Sequence, residues 1–78
     1  STWARAPLFT KFYANVFGVT PAEKIVKVDF GNERIEVEDG QPAYVADGQL
    51  ILDMESIRVL RDLLSHTISE MEKKQKKE

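Results

Sequence analysis

Cysteine is absent from the 78-residue chain, and His66 is the only histidine. The chain therefore has no disulfide framework, no thiolate nucleophile and no cysteine–histidine ligand set for zinc. Its four glycines are scattered singly, so they form no glycine-rich phosphate-binding loop. With no other motif that carries a reaction, we expect a protein that is not an enzyme and has no catalytic residue, cofactor or metal site.

Long apolar runs and an excess of one charge are also absent. No stretch approaches the roughly 18–20 apolar residues that a membrane-spanning helix needs, and no signal-peptide pattern is present. We therefore expect no membrane contact, and the lack of cysteine fits a cytoplasmic protein. The 11 basic and 13 acidic side chains give a net charge of −2, so no overall positive field would attract nucleic acid.

The composition is that of an ordinary globular protein, with 42% hydrophobic and 31% charged residues. Residues 1–78 are expected to form one small domain, and a chain of this size buries only about 60% of its unfolded surface. Because disulfides and metals are excluded, oligomerisation is the remaining common means of stabilising so small a core. The sequence therefore predicts a homodimer.

The last third of the chain, residues 53–74, has the pattern of one amphipathic helix. Apolar side chains recur at spacings of three and four, which places them on one helical face. This stripe consists of Ile57, Leu60, Leu64, Ile68 and Met71, and Met54, Val59, Leu63 and Thr67 widen it. Asp53 is suited to cap the helix N-terminus. The stripe requires a sheet to cover it, and a second copy if one sheet is too small.

Residues 8–52 are rich in short alternating segments that predict antiparallel strands. The expected strands are 8–19, 24–30, 34–38, 43–46 and 49–52, separated by turns at 20–23, Gly31-Asn32, Asp39-Gly40 and Asp47-Gly48. The Asp47-Gly48 pair favours a compact hairpin, although 39–48 could instead form one longer excursion. The fold class is therefore α+β, with four or five strands followed by one helix. Residues 1–7 are expected to form a flexible arm, and 75–78 a frayed tail.

Two groups of side chains have the residue types of a chemical site. The spacing of the acidic residues between 29 and 39 matches no calcium loop, and alternation explains Glu36 and Glu38 as the solvated side of a strand. His66 lies off the apolar stripe, and its neighbour Ser65 does not face it on a helix. We therefore expect a surface histidine and solvated carboxylates.

The C-terminal end is rich in lysine. Lys73, Lys74, Lys76 and Lys77 could contact nucleic-acid phosphates. Positive charge at this end also complements the helix dipole, which explains the lysines without a ligand. Nucleic-acid binding is therefore the alternative function, not the first.

Two short motifs resemble a family of small bacterial and archaeal proteins of unknown function. The motifs are residues 13–16, Tyr-Ala-Asn-Val, and residues 28–31, Val-Asp-Phe-Gly. An apolar strand leading to a methionine at 50–54 and the Leu63-Leu64 pair match the family's closing helix. The likeness covers most of the chain and departs from the family pattern at 39–48. The resemblance implies sheet strands and a closing helix, and no enzyme activity, ligand or site.

The sequence therefore favours a non-enzymatic interaction or assembly module, expected to be homodimeric and with a further protein partner possible. The alternative is a nucleic-acid-associated accessory protein that uses the lysine-rich end. The expected interface residues are the apolar stripe of the helix and two aromatic side chains of the first strand. These are Phe12, Phe17, Ile57, Leu60, Leu64, Ile68 and Met71.

Overall fold

The computed structural model describes residues 2–35 and 39–77, and of Lys77 only the backbone. Three strands, β1 (Val16–Ala22), β2 (Ile25–Ile35) and β3 (Pro42–Asp53), form one antiparallel sheet in the order β1-β2-β3. Helix α1 (Met54–Lys77) follows β3 directly. The predicted α+β class, with strands followed by one long helix, is confirmed. The prediction of four or five strands is wrong, because the structure has three.

The first predicted strand, 8–19, is wrong over most of its length. A turn at residues 7–8, where the Phe9 amide donates to the Ala6 carbonyl (3.0 Å), redirects the chain. Residues 8–15, here called the entry segment, have no regular structure, and β1 then continues through Pro21 to Ala22. Proline is tolerated there because β1 lies at the sheet edge, where one side of the strand needs no ladder bonds. The turn moves to the two residues 23–24.

The predicted turns at Gly31-Asn32 and Asp47-Gly48 do not end strands. Phe30 is opposite Gly48, whereas Gly31 is opposite Ala46, so Asp47 is one extra residue in β3. Both turn signals lie at this β-bulge, which bends the sheet locally and lets each strand continue. The predicted strands 43–46 and 49–52 are therefore one strand. Of the predicted strand 34–38, residues 36–38 lie outside the described residues.

The strand register sorts the side chains into two faces, since successive residues point to opposite sides. The apolar face carries Phe17, Val19, Val26, Val28, Phe30, Leu50 and Leu52. The polar face carries Thr20, Lys27, Asp29, Gln49 and Ile51. On the polar face the Gln49 side-chain amide donates to the Asp29 carboxylate (2.9 Å). Helix α1 lies against the apolar face.

The start of α1 is fixed by its cap. The Ser56 amide donates to Oδ1 of Asp53 (2.8 Å), as expected of an N-cap aspartate. This hydrogen bond lowers the pKa of the Asp53 carboxyl, because it stabilises the charged form. The helix continues to Lys77, beyond the predicted end at residue 74, and residue 78 lies outside the described part. Its 24 residues make it about 36 Å long.

The hydrophobic core is incomplete. Among the side chains that the structure describes, no hydrophobic one is fully buried. The accessible surface is 7454 Å², whereas a compact monomer of this mass would expose about 4,800 Å². The radius of gyration is 16.3 Å, against about 11.5 Å for a compact chain of 78 residues. Helix and sheet together therefore leave a large apolar surface in solvent.

Candidate interaction surface

An open apolar cleft separates the helix from the apolar face of the sheet. Its volume is about 400 Å³, and both the sheet and the second and third turns of α1 contribute to its walls. It is lined by Phe12, Ala14, Phe17, Val28, Phe30, Leu50, Leu60 and Leu64. Four of the seven expected interface residues meet here, namely Phe12, Phe17, Leu60 and Leu64. An unfilled apolar cleft between a sheet and its helix is a surface that a further apolar element could complete.

The other three expected interface residues lie outside the cleft. Ile57, in the first helical turn, is half-buried. Ile68 and Met71 lie farther along α1 and remain 57% and 59% exposed. From Arg58 to Lys76 every described side chain of the helix is exposed. The apolar stripe is thus placed on one face as predicted, but most of it has no cover within the described chain.

The entry segment is attached to the sheet by contacts that the sequence pattern did not reveal. The Asn15 amide donates to the Gly31 carbonyl (3.0 Å), and the Asn32 side-chain amide donates to the Tyr13 carbonyl (2.8 Å). The ring of Phe12 packs edge-to-face on Phe30, with centroids 5.4 Å apart. These contacts carry the segment across the apolar face, which is why it does not extend β1.

The bulge brings three polar side chains together at the sheet. Asp47 accepts hydrogen bonds from Arg34 and from the Asn32 amide (3.4 Å for the latter). The Arg34 hydrogen bond, with a smaller contribution from its charge, lowers the pKa of the Asp47 carboxyl. Asn32 thus links the bulge to the entry segment. The Asp47-Gly48 pair was the available signal in the sequence, but it indicated a hairpin.

The polar face has a second concavity, of about 360 Å³, near the bulge. Its walls include Val16, Asp29, Tyr44 and Ala46, and Asp29 is its one carboxylate. That carboxylate is already engaged by Gln49. No group of three histidine, aspartate or glutamate side chains in the described ranges is close enough to hold a metal ion.

The lysines that the structure describes at the C-terminal end do not form one compact positive patch. Successive residues on a helix are rotated by about 100°, so adjacent lysines point to different sides. Lys73 lies 3.5 Å from the Glu70 carboxylate, and Lys74 and Lys76 are exposed. The side chain of Lys77 lies outside the described residues. The use of these lysines for nucleic acid stays a prediction.

Comparison of the chain with protein-family models, curated proteins and solved structures gives no match. The resemblance to the family with the Tyr-Ala-Asn and Asp-Phe-Gly motifs therefore stays a prediction. None of the helices described here is long and apolar enough to cross a membrane.

Proposed function

We propose that this chain is a non-enzymatic assembly module that acts as a homodimer. The observation that carries the proposal is the absence of any fully buried hydrophobic side chain in the described structure. Hydrophobic burial is the main favourable contribution to folding, so a folded chain of this kind needs further cover. A second copy of the chain would supply that cover without any other protein, through an interface that is the same on both subunits.

The size of the exposed surface supports a dimer. The accessible area of 7454 Å² exceeds that of a compact monomer by about 2,600 Å². Obligate dimers commonly bury about 2,000–5,000 Å² in total, or about 1,000–2,500 Å² per subunit. The excess is thus of the size that one subunit of a stable dimer contributes. The cleft residues and the exposed helical stripe are the surfaces proposed to be covered.

The test is the solution mass, measured by light scattering over a concentration series. We expect a mass of about twice the 8.9 kDa of one chain. Leu64→Asp should unfold the protein or dissociate the dimer, since it places a charge in the apolar cleft. Ser65→Asp is the matched control, because its neighbouring position is exposed and off the stripe.

Two outcomes would contradict the proposal. One is a monomer at every concentration, with its native circular dichroism spectrum. The other is a Leu64→Asp variant that stays folded and retains the mass of the unmodified protein. A mass that rises only when another protein is added would assign the surface to a different partner.

A further inference from the structure

We infer that the two copies join through strand β3, pairing antiparallel with itself to form one continuous six-stranded sheet. This inference rests on the proposed homodimer and adds which element forms the interface and in which register. A three-stranded sheet has two edge strands, and each edge exposes unpaired backbone amides and carbonyls that can accept another strand. The two edges of this sheet differ in length and in the residues that they carry.

The β1 edge is poorly suited to pairing. The strand is seven residues long and contains Pro21, which lacks an amide hydrogen. The β3 edge spans twelve residues, begins with Pro42 and is divided by the bulge at Asp47, and within the described chain it pairs only with β2. Proline, charge and bulges are the usual devices that protect an edge. Residues 49–52 of β3, Gln-Leu-Ile-Leu, contain none of these.

The start of α1 at Asp53 and the bulge at Asp47 limit the register in which two copies of β3 can pair. A two-fold axis perpendicular to the sheet sets one residue opposite its own copy. With the axis at Ile51, the Leu50 side chain meets the partner's Leu52 on the apolar face. The ladder then ends at Asp53, where α1 begins, before it reaches the bulge. An axis at Leu50 would instead set Asp53 opposite the partner's bulged Asp47, where the ladder is interrupted and like charges oppose each other.

This arrangement would account for the exposure of the Ile51 side chain. This side chain is 61% exposed although it stands in the middle of the β3 segment that carries no charge. At the two-fold axis it would pack against its own copy on the polar face. The same axis places both α1 helices on the apolar side of the joined sheet.

Single cysteines test the register directly, because the chain has no cysteine of its own. Directly opposed residues in an antiparallel pair have β-carbons about 4.5–5.5 Å apart, close to the separation in a disulfide. Under mild oxidation Ile51→Cys should therefore form a covalent dimer on a non-reducing gel. Thr20→Cys is the matched control: Thr20, Lys27 and Ile51 form one row across the polar face, with Thr20 on the β1 edge. We expect no rapid cross-linking of that variant.

A second pair of variants tests the same row of residues, Thr20, Lys27 and Ile51, by changing the charge at each end. Ile51→Glu and Thr20→Glu each place a carboxylate opposite Lys27, so neither should impair the fold of the single chain. Only Ile51→Glu sets two carboxylates against each other at the axis, and it also removes two apolar side chains from it. We expect its dimer dissociation constant to rise at least about tenfold, and that of Thr20→Glu to stay within about twofold.

The outcomes separate the two proposals. If the unmodified protein is a dimer but Ile51→Cys cross-links no faster than Thr20→Cys, the β3 pairing is wrong and the homodimer stands. Rapid cross-linking of Ile68→Cys in place of Ile51→Cys would likewise overturn it in favour of helix-to-helix contact. A monomer in light scattering overturns both proposals.

Discussion

The ring of Phe30 lies over Gly48, its opposite residue in the β2–β3 ladder. A β-carbon on Gly48 would stand 2.5 Å from Cζ of that ring. The ring therefore occupies the space that a side chain on β3 would otherwise fill, as aromatic residues do beside glycines in sheets. The same ring contacts Phe12 and lines the apolar cleft. Gly48 thus fixes an aromatic side chain on which the candidate interaction surface depends.

Replacing Gly48 should reveal this packing. Gly48→Ala would force Phe30 to move, and the overpacking should lower the free energy of unfolding by about 1–3 kcal/mol. Gly18→Ala is the control, since a β-carbon there meets only the Asp29 side chain, at 3.9 Å. We expect that control to change the free energy by less than about 1 kcal/mol. Urea denaturation measures both, and equal losses for the two variants would show that the ring does not depend on Gly48.

The link between Asn32 and Tyr13 should control the entry segment. Asn32→Ala removes the amide that donates to the Tyr13 carbonyl, and a lost hydrogen bond of this kind costs about 1 kcal/mol. Because Lys11 lies in that segment, trypsin should cleave after Lys11 faster in the variant. Ser69→Ala, on the exposed side of α1, is the control and should leave the cleavage rate unchanged. A rate in Asn32→Ala equal to that of the control would show that other contacts hold the segment.

Acid should weaken the helix start. The pKa of Asp53 is lowered in the folded chain by the Ser56 amide, so the folded state binds its proton less readily than the unfolded state. Its contribution to stability is therefore present above the carboxyl's unfolded pKa and is lost as the pH falls below about 4. Thermal unfolding between pH 7 and pH 2.5 measures this loss.

Asp53→Asn is the matched variant for the pH series. Asparagine caps a helix about as well as aspartate, but it does not titrate. The variant should be folded at pH 7 and should lose less stability between pH 5 and pH 2.5 than the unmodified protein. Identical pH profiles for the two proteins would show that the charge of Asp53 does not contribute. Asp47, whose pKa Arg34 also lowers, should contribute to the acid sensitivity that remains.

The helix could be predicted from the sequence because its signals are local. The spacing from Ile57 to Met71 and the capping residue Asp53 are all within one segment. The bulge could not, because an Asp-Gly pair favours a hairpin, and only the partner strand shows that the chain continues through it instead. The course of residues 8–15 depends on contacts with Phe30, Gly31 and Asn32, which lie well away in sequence. Aromatic and β-branched composition indicated a strand there, but packing of Phe12 on the apolar face determined the outcome.

Of the exposed surface, the sequence predicted the apolar stripe of the helix but not the open edge of the sheet. Helical periodicity placed Leu64 and Ile68 on one face, and the sequence predicted that a sheet would cover this face, with a second copy if one sheet were too small. The edge strand was not visible, because the pattern divided β3 into two shorter strands at Asp47. Only the pairing of β3 with β2 on both sides of the bulge shows that residues 49–52 stand on an open sheet edge. Periodicity reports which side of an element is apolar, whereas the edge depends on the order of strands.

If folding and dimer formation are coupled, the thermal midpoint must depend on protein concentration. Taking about 0.7 kcal/mol per residue for the unfolding enthalpy over both chains, a tenfold increase in concentration should raise the midpoint by about 4–5 °C. Ser65→Asp should retain this dependence. Ile51→Glu should lower the midpoint by a similar amount at every concentration, because a weaker dimer shifts the whole line of midpoint against concentration. Calorimetry over a hundredfold range provides the test, and a midpoint independent of concentration would mean that one chain folds without its copy.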